Sequence, residues 1–176
     1  KNSTQNIMIL AQGGLTLGQK EYYLDNDSAT ASIREAFKKH IVRMFRLSGF
    51  SEKVAQQNMK YVMEIETSLA KVSKSQSELR DVEANYHKMS LAEIEKAYPH
   101  LQWQKFFNKI GISTSYVQKI NVCQPDFVKE VDAIFSKMSL AQYKAYLLWN
   151  LIDNSAPFLG DQLSAANFDF YGKTMK

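Results

Sequence analysis

The sequence predicts a mainly α fold, a multi-helical orthogonal domain of about seven helices with one or two short strands. Three observations carry that expectation. Apolar residues recur at steps of three and four through most of the chain, the spacing that lines one helix face. Two near-identical stretches, Met89-Ser90-Leu91-Ala92-Glu93 and Met138-Ser139-Leu140-Ala141-Gln142, read as capping boxes, a hydroxyl and a carboxylate or amide reciprocally covering free amides at a helix start. Strand-like sequence is confined to two short segments.

The elements follow in order. Ile7 to Gln12 reads as a short strand. The junction Gly13–Asp27 holds two adjacent glycines, a third at Gly18, a Tyr22-Tyr23 pair and the Asp25-Asn26-Asp27 cluster, which is turn chemistry. Asp27 or Ser28 caps a first long helix whose face is Ile33, Phe37, Ile41, Met44 and Phe45, closed by Ser48-Gly49. Ser51 opens a second helix with Val54, Asn58, Tyr61, Ile65, Leu69 and Val72 at helical spacing. Glu52 and Lys71 at its ends match the macrodipole. Ser73–Ser77 lowers helix propensity, as a loop or a weak continuation, and Glu78–Tyr86 is expected to be a short helix.

Ser90 opens a helix that must stop near Tyr98, because Pro99 disfavours helical angles before it. Leu101, Trp103, Phe106, Phe107 and Ile110 form a short amphipathic helix ending at Gly111, and Tyr116–Val122 alternates as a strand. Pro125 suits the first position of a helix faced by Phe127, Val131, Ile134 and Phe135. From Leu140 to Ile152 the chain is apolar nearly all round, which predicts a central helix buried in a core or between layers. Leu159, Leu163, Phe168, Phe170 and Tyr171 suggest a last helix ended by Gly172.

A chain of 176 residues is enough for one domain, residues 1–176, with a real core, and 45% hydrophobic content is a globular value. No apolar run approaches the roughly 18 residues of a membrane helix. The net charge of +4 is too small for a dedicated nucleic-acid binder. Basic residues do gather at Arg34, Lys38, Lys39, Arg43, Arg46 and Lys53 against Glu35 and Glu52, either as a face that binds phosphate or membrane lipid, or as a solvated face or one docked on an acidic surface. Cys123 is the lone cysteine, read as a buried structural thiol; the fold needs no oxidising compartment. The chain begins KNST without a leader pattern and ends FYGKTMK, which suggests a processed or excised fragment.

Catalytic motifs are missing from the sequence. There is no HExxH, P-loop, GxGxxG or GxSxG. His40, His87 and His100 have no ligand partner at helical spacing. Glu64 and Glu66 read as surface charges on different helix faces. No residue is assigned as catalytic, cofactor-binding or metal-ligating.

One resemblance adds a function. Gly14-Leu15-Thr16-Leu17-Gly18-Gln19-Lys20-Glu21-Tyr22-Tyr23-Leu24 resembles a segment of the neprilysin-like zinc metallopeptidases that usually reads Gly-Leu-x-Leu-Pro-x-Arg-Asp-Tyr-Tyr. Gly18 stands in place of the proline, and Lys20-Glu21 keeps the charge pattern of Arg-Asp. The similarity continues collinearly through Met63-Glu64-Ile65-Glu66, Tyr86–Ile94, Trp103 with Phe106, Val122–Phe127 and the region of Trp149. A single cysteine is similar to the bacterial endopeptidase O branch, since vertebrate members are rich in disulfides. The resemblance implies part of an N-terminal helical lobe that closes a substrate chamber over a separate catalytic lobe. In that catalytic lobe zinc activates water and a motif Glu is the base. It implies zinc as cofactor of the parent enzyme and none bound by this fragment, which is expected to be inactive alone. The implied partners are the chain's own catalytic lobe and oligopeptide substrates, with no nucleic acid. Export to a bacterial periplasm or cell surface is the implied location, with the cytoplasm left open.

Two other readings compete. A free-standing helical module that binds a peptide or protein would behave as a stable monomer without an exposed apolar patch. A basic helical nucleic-acid binder would show steeply salt-dependent oligonucleotide binding.

Overall fold

The computed structural model describes residues 6–175. In chain order they form β1 (Met8–Leu10), α1 (Glu21–Leu24), α2 (Ser28–Leu47), α3 (Glu52–Val72), β2 (Lys88–Ser90), α4 (Leu91–Ala97), α5 (Trp103–Lys109), β3 (Lys119–Val122), α6 (Pro125–Lys137), α7 (Leu140–Ser155) and α8 (Asp161–Phe168). Single 3-10 turns punctuate the loops, and a π-helical turn, Asp169–Thr174, follows α8. The fold is mainly helical, as the spacing predicts, with a small sheet of three strands rather than one or two.

The chain divides into two compact units. One comprises Lys1–Gly18 and Lys71–Lys137; the other comprises Gln19–Ala70 and Met138–Lys176. In the first, the strand order is β1-β3-β2, with β1 parallel and β2 antiparallel to β3. Central β3 places Ile120 and Val122 opposite Met8 and Leu10. The strand ends are tied by Cys123 N–H donating to the Leu10 carbonyl (2.8 Å) and Val122 N–H to the His87 carbonyl (2.9 Å). Ile94, Tyr98, Trp103, Phe107, Val117, Ile120, Val122 and Val128 form the core that joins the sheet to α4, α5 and α6. Burying eight such side chains at about 1.5–3 kcal/mol each is the main force holding this unit together.

In the second unit, α2 begins as the sequence predicts. The Asp27 carboxylate accepts from the amides of Ala29 and Thr30, both at 3.0 Å, and Gly49 closes the helix at φ +92°. Phe37, Ile41, Met44 and Phe45 are fully buried on its inner face. Phe37 meets Trp149 edge-on at 5.7 Å and stacks on Phe170 at 5.6 Å, so α2, α7 and the π turn share one aromatic centre. Edge-to-face contacts of this kind add about 0.5–1.5 kcal/mol each beyond burial.

Both capping boxes are present. Ser90 N–H donates to Glu93 Oε2 at 2.7 Å, and Ser139 N–H to Gln142 Oε1 at 2.9 Å, with the hydroxyls accepting in return from the Glu93 and Gln142 amides. Pro125 takes the first position of α6.

Several expectations need correction. Glu78–Tyr86 is not a helix: only Glu78–Arg80 makes a 3-10 turn. The serines before it bind locally instead, Ser75 N–H and Oγ–H both donating to Glu78 Oε2 at 2.7 Å, which competes with helix formation. Lys88–Ser90 is a strand, because Asn121 beyond it supplies an edge that local sequence does not reveal. Helix α7 is not buried all round. Ala145, Trp149 and Ile152 face inward, whereas Leu140, Leu147 and Leu151 are exposed. Gly172 does not end the last helix. It lies within the π turn, where a Cβ would come within 2.6 Å of the Phe168 ring. Cys123 is half-buried rather than buried, its sulfur accepting from Asn121 Nδ2 at 3.3 Å.

Candidate functional site

The buried polar groups of the second unit are the first place to look for chemistry, because an ionisable side chain out of water must have a partner or a role. Glu66 lies on the inner face of α3 and is completely buried, against the expectation of a surface charge. Tyr23, on α1, donates its hydroxyl to Glu66 Oε2 at 2.5 Å. The signal was available in the spacing: Glu66 stands four residues after Val62 and three before Leu69, both buried. Glu64, by contrast, is exposed and accepts from Gln142 Nε2 at 3.3 Å.

The Glu66 charge also reaches Tyr146 on α7. Burial first, and then that carboxylate, push the Tyr146 phenol up to about 12. A second group gathers around His40. Its ring stacks on Phe170 at 4.5 Å and meets Trp149 and Tyr171 edge-on. His40 Nε2 has no hydrogen-bond partner and lies 3.8 Å from Asp153 Oδ1. Asp153 instead accepts the Tyr171 hydroxyl, 2.9 Å from both carboxylate oxygens. Burial, with Asp153 second, raises the Tyr171 phenol.

These groups hold structure. Each carboxylate accepts a phenol hydroxyl, and among the described residues His40 Nε2 has no hydrogen-bonded hydroxyl or thiol with which to form a nucleophile–base pair. They pin α1 to α3 and the π turn to α7.

The first unit holds the remaining histidines. His100 Nδ1 lies 2.7 Å from Asp132 Oδ2, and its backbone N–H donates to Asp132 Oδ1 at 2.8 Å. That double contact fixes the 3-10 turn Pro99–Leu101 against α6. His87 Nδ1 is 3.1 Å from the Val122 carbonyl and belongs to the sheet. Near His100, a shallow depression of about 320 Å³ is lined by Glu95, Pro99, Gln102, Trp103, Gln104 and Lys105. Gln102 has φ +47°, a left-handed conformation that starts α5. The depression holds one carboxylate and one ammonium and no convergent catalytic set.

Zinc does not fit the residues present: among the described residues no group of three His, Cys, Asp or Glu side chains could hold a metal ion. Zinc prefers four ligands, or three and a water, and the His100–Asp132 and His40–Asp153 pairs each stop at two.

The basic stretch is largely occupied with its own structure. Arg34 donates to the carbonyls of Tyr22 (3.1 Å) and Asp25 (3.0 Å), capping the end of α1. Lys38 pairs with Glu35 at 2.6 Å, Arg43 with Asp169 at 3.0 Å and Arg46 with Glu52 at 3.3 Å. Salt bridges this exposed contribute little stability, but they neutralise much of the stripe.

The junction segment Gly14–Leu24 also acts through structure. Leu17 and Tyr23 are buried, and Gly18 N–H closes a turn to the Leu15 carbonyl at 2.9 Å with φ +78°. Trp103, buried in the first unit, donates Nε1–H to the Tyr98 carbonyl at 2.9 Å, while Phe106 is exposed beside it.

Comparison with known proteins assigns these segments. The sequence model of Peptidase family M13, N-terminal part, matches residues 1–176. Endothelin-converting enzyme 1 of Cavia porcellus is 27% identical over 173 residues, covering 97% of this chain and 23% of that protein. The Mycobacterium tuberculosis zinc metalloprotease Zmp1 in its open state superposes with a TM-score of 0.88 at 26% identity, over 94% of this chain and 26% of that one. PepO from Lactobacillus rhamnosis shares the fold, with a TM-score of 0.73 at 15% identity over 91% of this chain and 25% of that one. The chain thus spans about a quarter of the length of the relatives it matches.

Proposed function

The chain belongs to peptidase family M13, and we propose that it is part of the helical cap lobe of a zinc metalloendopeptidase that hydrolyses short peptides. The cap shapes and closes a substrate chamber over a catalytic lobe supplied by the same polypeptide outside these residues. The observation that carries the reading is the family match along the whole sequence, beside a near-complete superposition on Zmp1. Zmp1 is a zinc metalloprotease by name, and this chain contributes a folded scaffold whose buried carboxylates, Glu66 and Asp132, are held by Tyr23 and His100.

The division of labour follows from the residues. A cap needs a rigid inner wall, and rigidity here comes from the Phe37–Trp149–Phe170 centre, the Tyr23–Glu66 hydrogen bond and the sheet. Zinc, when the parent enzyme holds it, would polarise the scissile carbonyl and activate water. Its ligands come from outside this segment, which by itself is inactive. Among the described residues no helix is long and apolar enough to cross a membrane. Export to the periplasm or surface of a bacterium belongs to the same proposal; the lone Cys123 is compatible with it, since no disulfide has to form.

Chamber closure is tested with the full-length protein on peptides of increasing length. Cleavage that falls away beyond a length cut-off, with folded proteins left intact, is the expected result. Equal cleavage of short peptides and unfolded whole proteins would refute the chamber role while leaving the peptidase reading in place.

A further inference from the structure

Helix α7 has two apolar faces, and the described residues cover one of them. At about 100° per residue, Ala145, Trp149, Ile152 and Ala156 fall on a single stripe, and all four are buried. Leu140, Leu147 and Leu151 fall together on the opposite side, and Phe158, in the 3-10 turn that continues α7, extends their line. These four are 69%, 65%, 64% and 87% exposed. The helix is firmly started by its capping box, so the stripe belongs to a formed helix and not to a frayed end.

The spacing is informative. Steps of seven, four and seven residues fit the d, d, a and a positions of a helix–helix seam. In that register Lys144 and Asn154 take the two intervening seam positions, each at one edge of the apolar line. Soluble proteins rarely leave contiguous apolar patches larger than a few hundred Å² in water, and four large side chains in one line approach that limit.

We infer that the outward face of α7 is an internal surface of the full-length protein, covered there by a further helix of the same polypeptide. The inference rests on the reading of this chain as one segment of a longer M13 peptidase. What points to that occupant is length. The relatives run to about four times this chain, and structures that superpose on 94% of it continue well beyond the matched region. The stripe is uncharged and straight, which suits a helix and not an extended peptide that needs backbone partners.

The test uses the full-length protein. Leu147→Cys is compared with Gln56→Cys, an exposed position on α3, by maleimide labelling under native conditions read by peptide mass mapping. Leu147→Asp is compared with the wild type by thermal unfolding. Leu147→Cys is expected to react at least about ten-fold more slowly than Gln56→Cys, since access governs thiol modification, at a rate that does not change on dilution. Leu147→Asp is expected to lower the melting temperature by several degrees. Equal labelling with a neutral Leu147→Asp overturns the inference. So does slow labelling that speeds up on dilution, which would assign the face to a second copy. Peptide hydrolysis by the same wild-type preparation keeps the two readings apart: rapid labelling in an active peptidase sinks only the covered face, and a protected Leu147 in an inactive protein sinks only the peptidase.

Discussion

The Tyr23 hydroxyl donates to the completely buried Glu66 carboxylate at 2.5 Å, and the two residues come from segments 43 positions apart. Both lie in stretches that carry the family resemblance, the Tyr-Tyr of the junction and the Glu-rich turn of α3. The pair is therefore a fastening between α1 and α3, and its chemistry is structural.

Tyr23→Phe removes one hydrogen bond to a buried charge and is expected to destabilise the chain by about 1–3 kcal/mol. A double-mutant cycle with Glu66→Gln in urea unfolding should give a coupling energy within about 0.5–3 kcal/mol. Additive effects would mean that the contact does not fasten the helices.

Gly18 marks a point where this chain departs from the usual family segment. Its φ of +78° is closed to proline, whose ring holds φ near −65°. Gly18→Pro would also remove the amide that bonds Leu15. It is expected to cost more than about 1 kcal/mol by chemical denaturation, although it restores the commoner family residue. A stabilised variant would show that the turn re-forms in the proline geometry.

Trp149 and His40 touch, yet they should respond differently to substitution. Trp149→Ala opens a cavity at the aromatic centre and is expected to cost about 3–5 kcal/mol. His40→Phe keeps the ring stacked on Phe170 and removes both ring nitrogens, of which Nε2 makes no hydrogen bond, so its cost should stay below about 1.5 kcal/mol. Equal losses would reveal a role for His40 Nε2.

Alkaline pH should loosen the second unit. Tyr146 is raised from 10.0 to about 12, and Tyr171 is raised as well, both chiefly by burial. A phenol whose pKa is raised in the folded state holds its proton more tightly there than in the unfolded chain. Its stabilising contribution is complete below pH 10 and is lost as pH rises through about 12. Unfolding free energy should therefore fall over that interval, with late phenolate absorbance, and Tyr146→Phe should flatten the decline.

Much of this fold was legible because it depends on neighbours in sequence. The capping boxes at Ser90 and Ser139, the Asp27 cap, Gly49 and Pro125 are local devices and lie where the residues place them. What was missed depends on distant partners. Strand β2 exists because β3, some thirty residues later, offers it an edge. The burial of Glu66 needs the Tyr23 hydroxyl from another helix. The nearly all-round apolar sequence of α7 predicts a central helix, buried in a core or between layers, yet the described residues cover only one of its faces. The π turn has no local signature beyond Gly172 under the Phe168 ring. The family was legible through the collinear segments and not through any reactive constellation.

Zinc-dependent hydrolysis tests the central claim most directly. The full-length protein and the 176-residue chain are each assayed on a quenched fluorescent peptide, with bound zinc quantified in both. The full-length protein should cleave the peptide, lose activity to a chelator and regain it with zinc. The 176-residue chain should bind no stoichiometric zinc and cleave nothing. Zinc-dependent cleavage by the short chain, or none by the full-length protein, would contradict the assignment of this segment as a scaffold within a metallopeptidase.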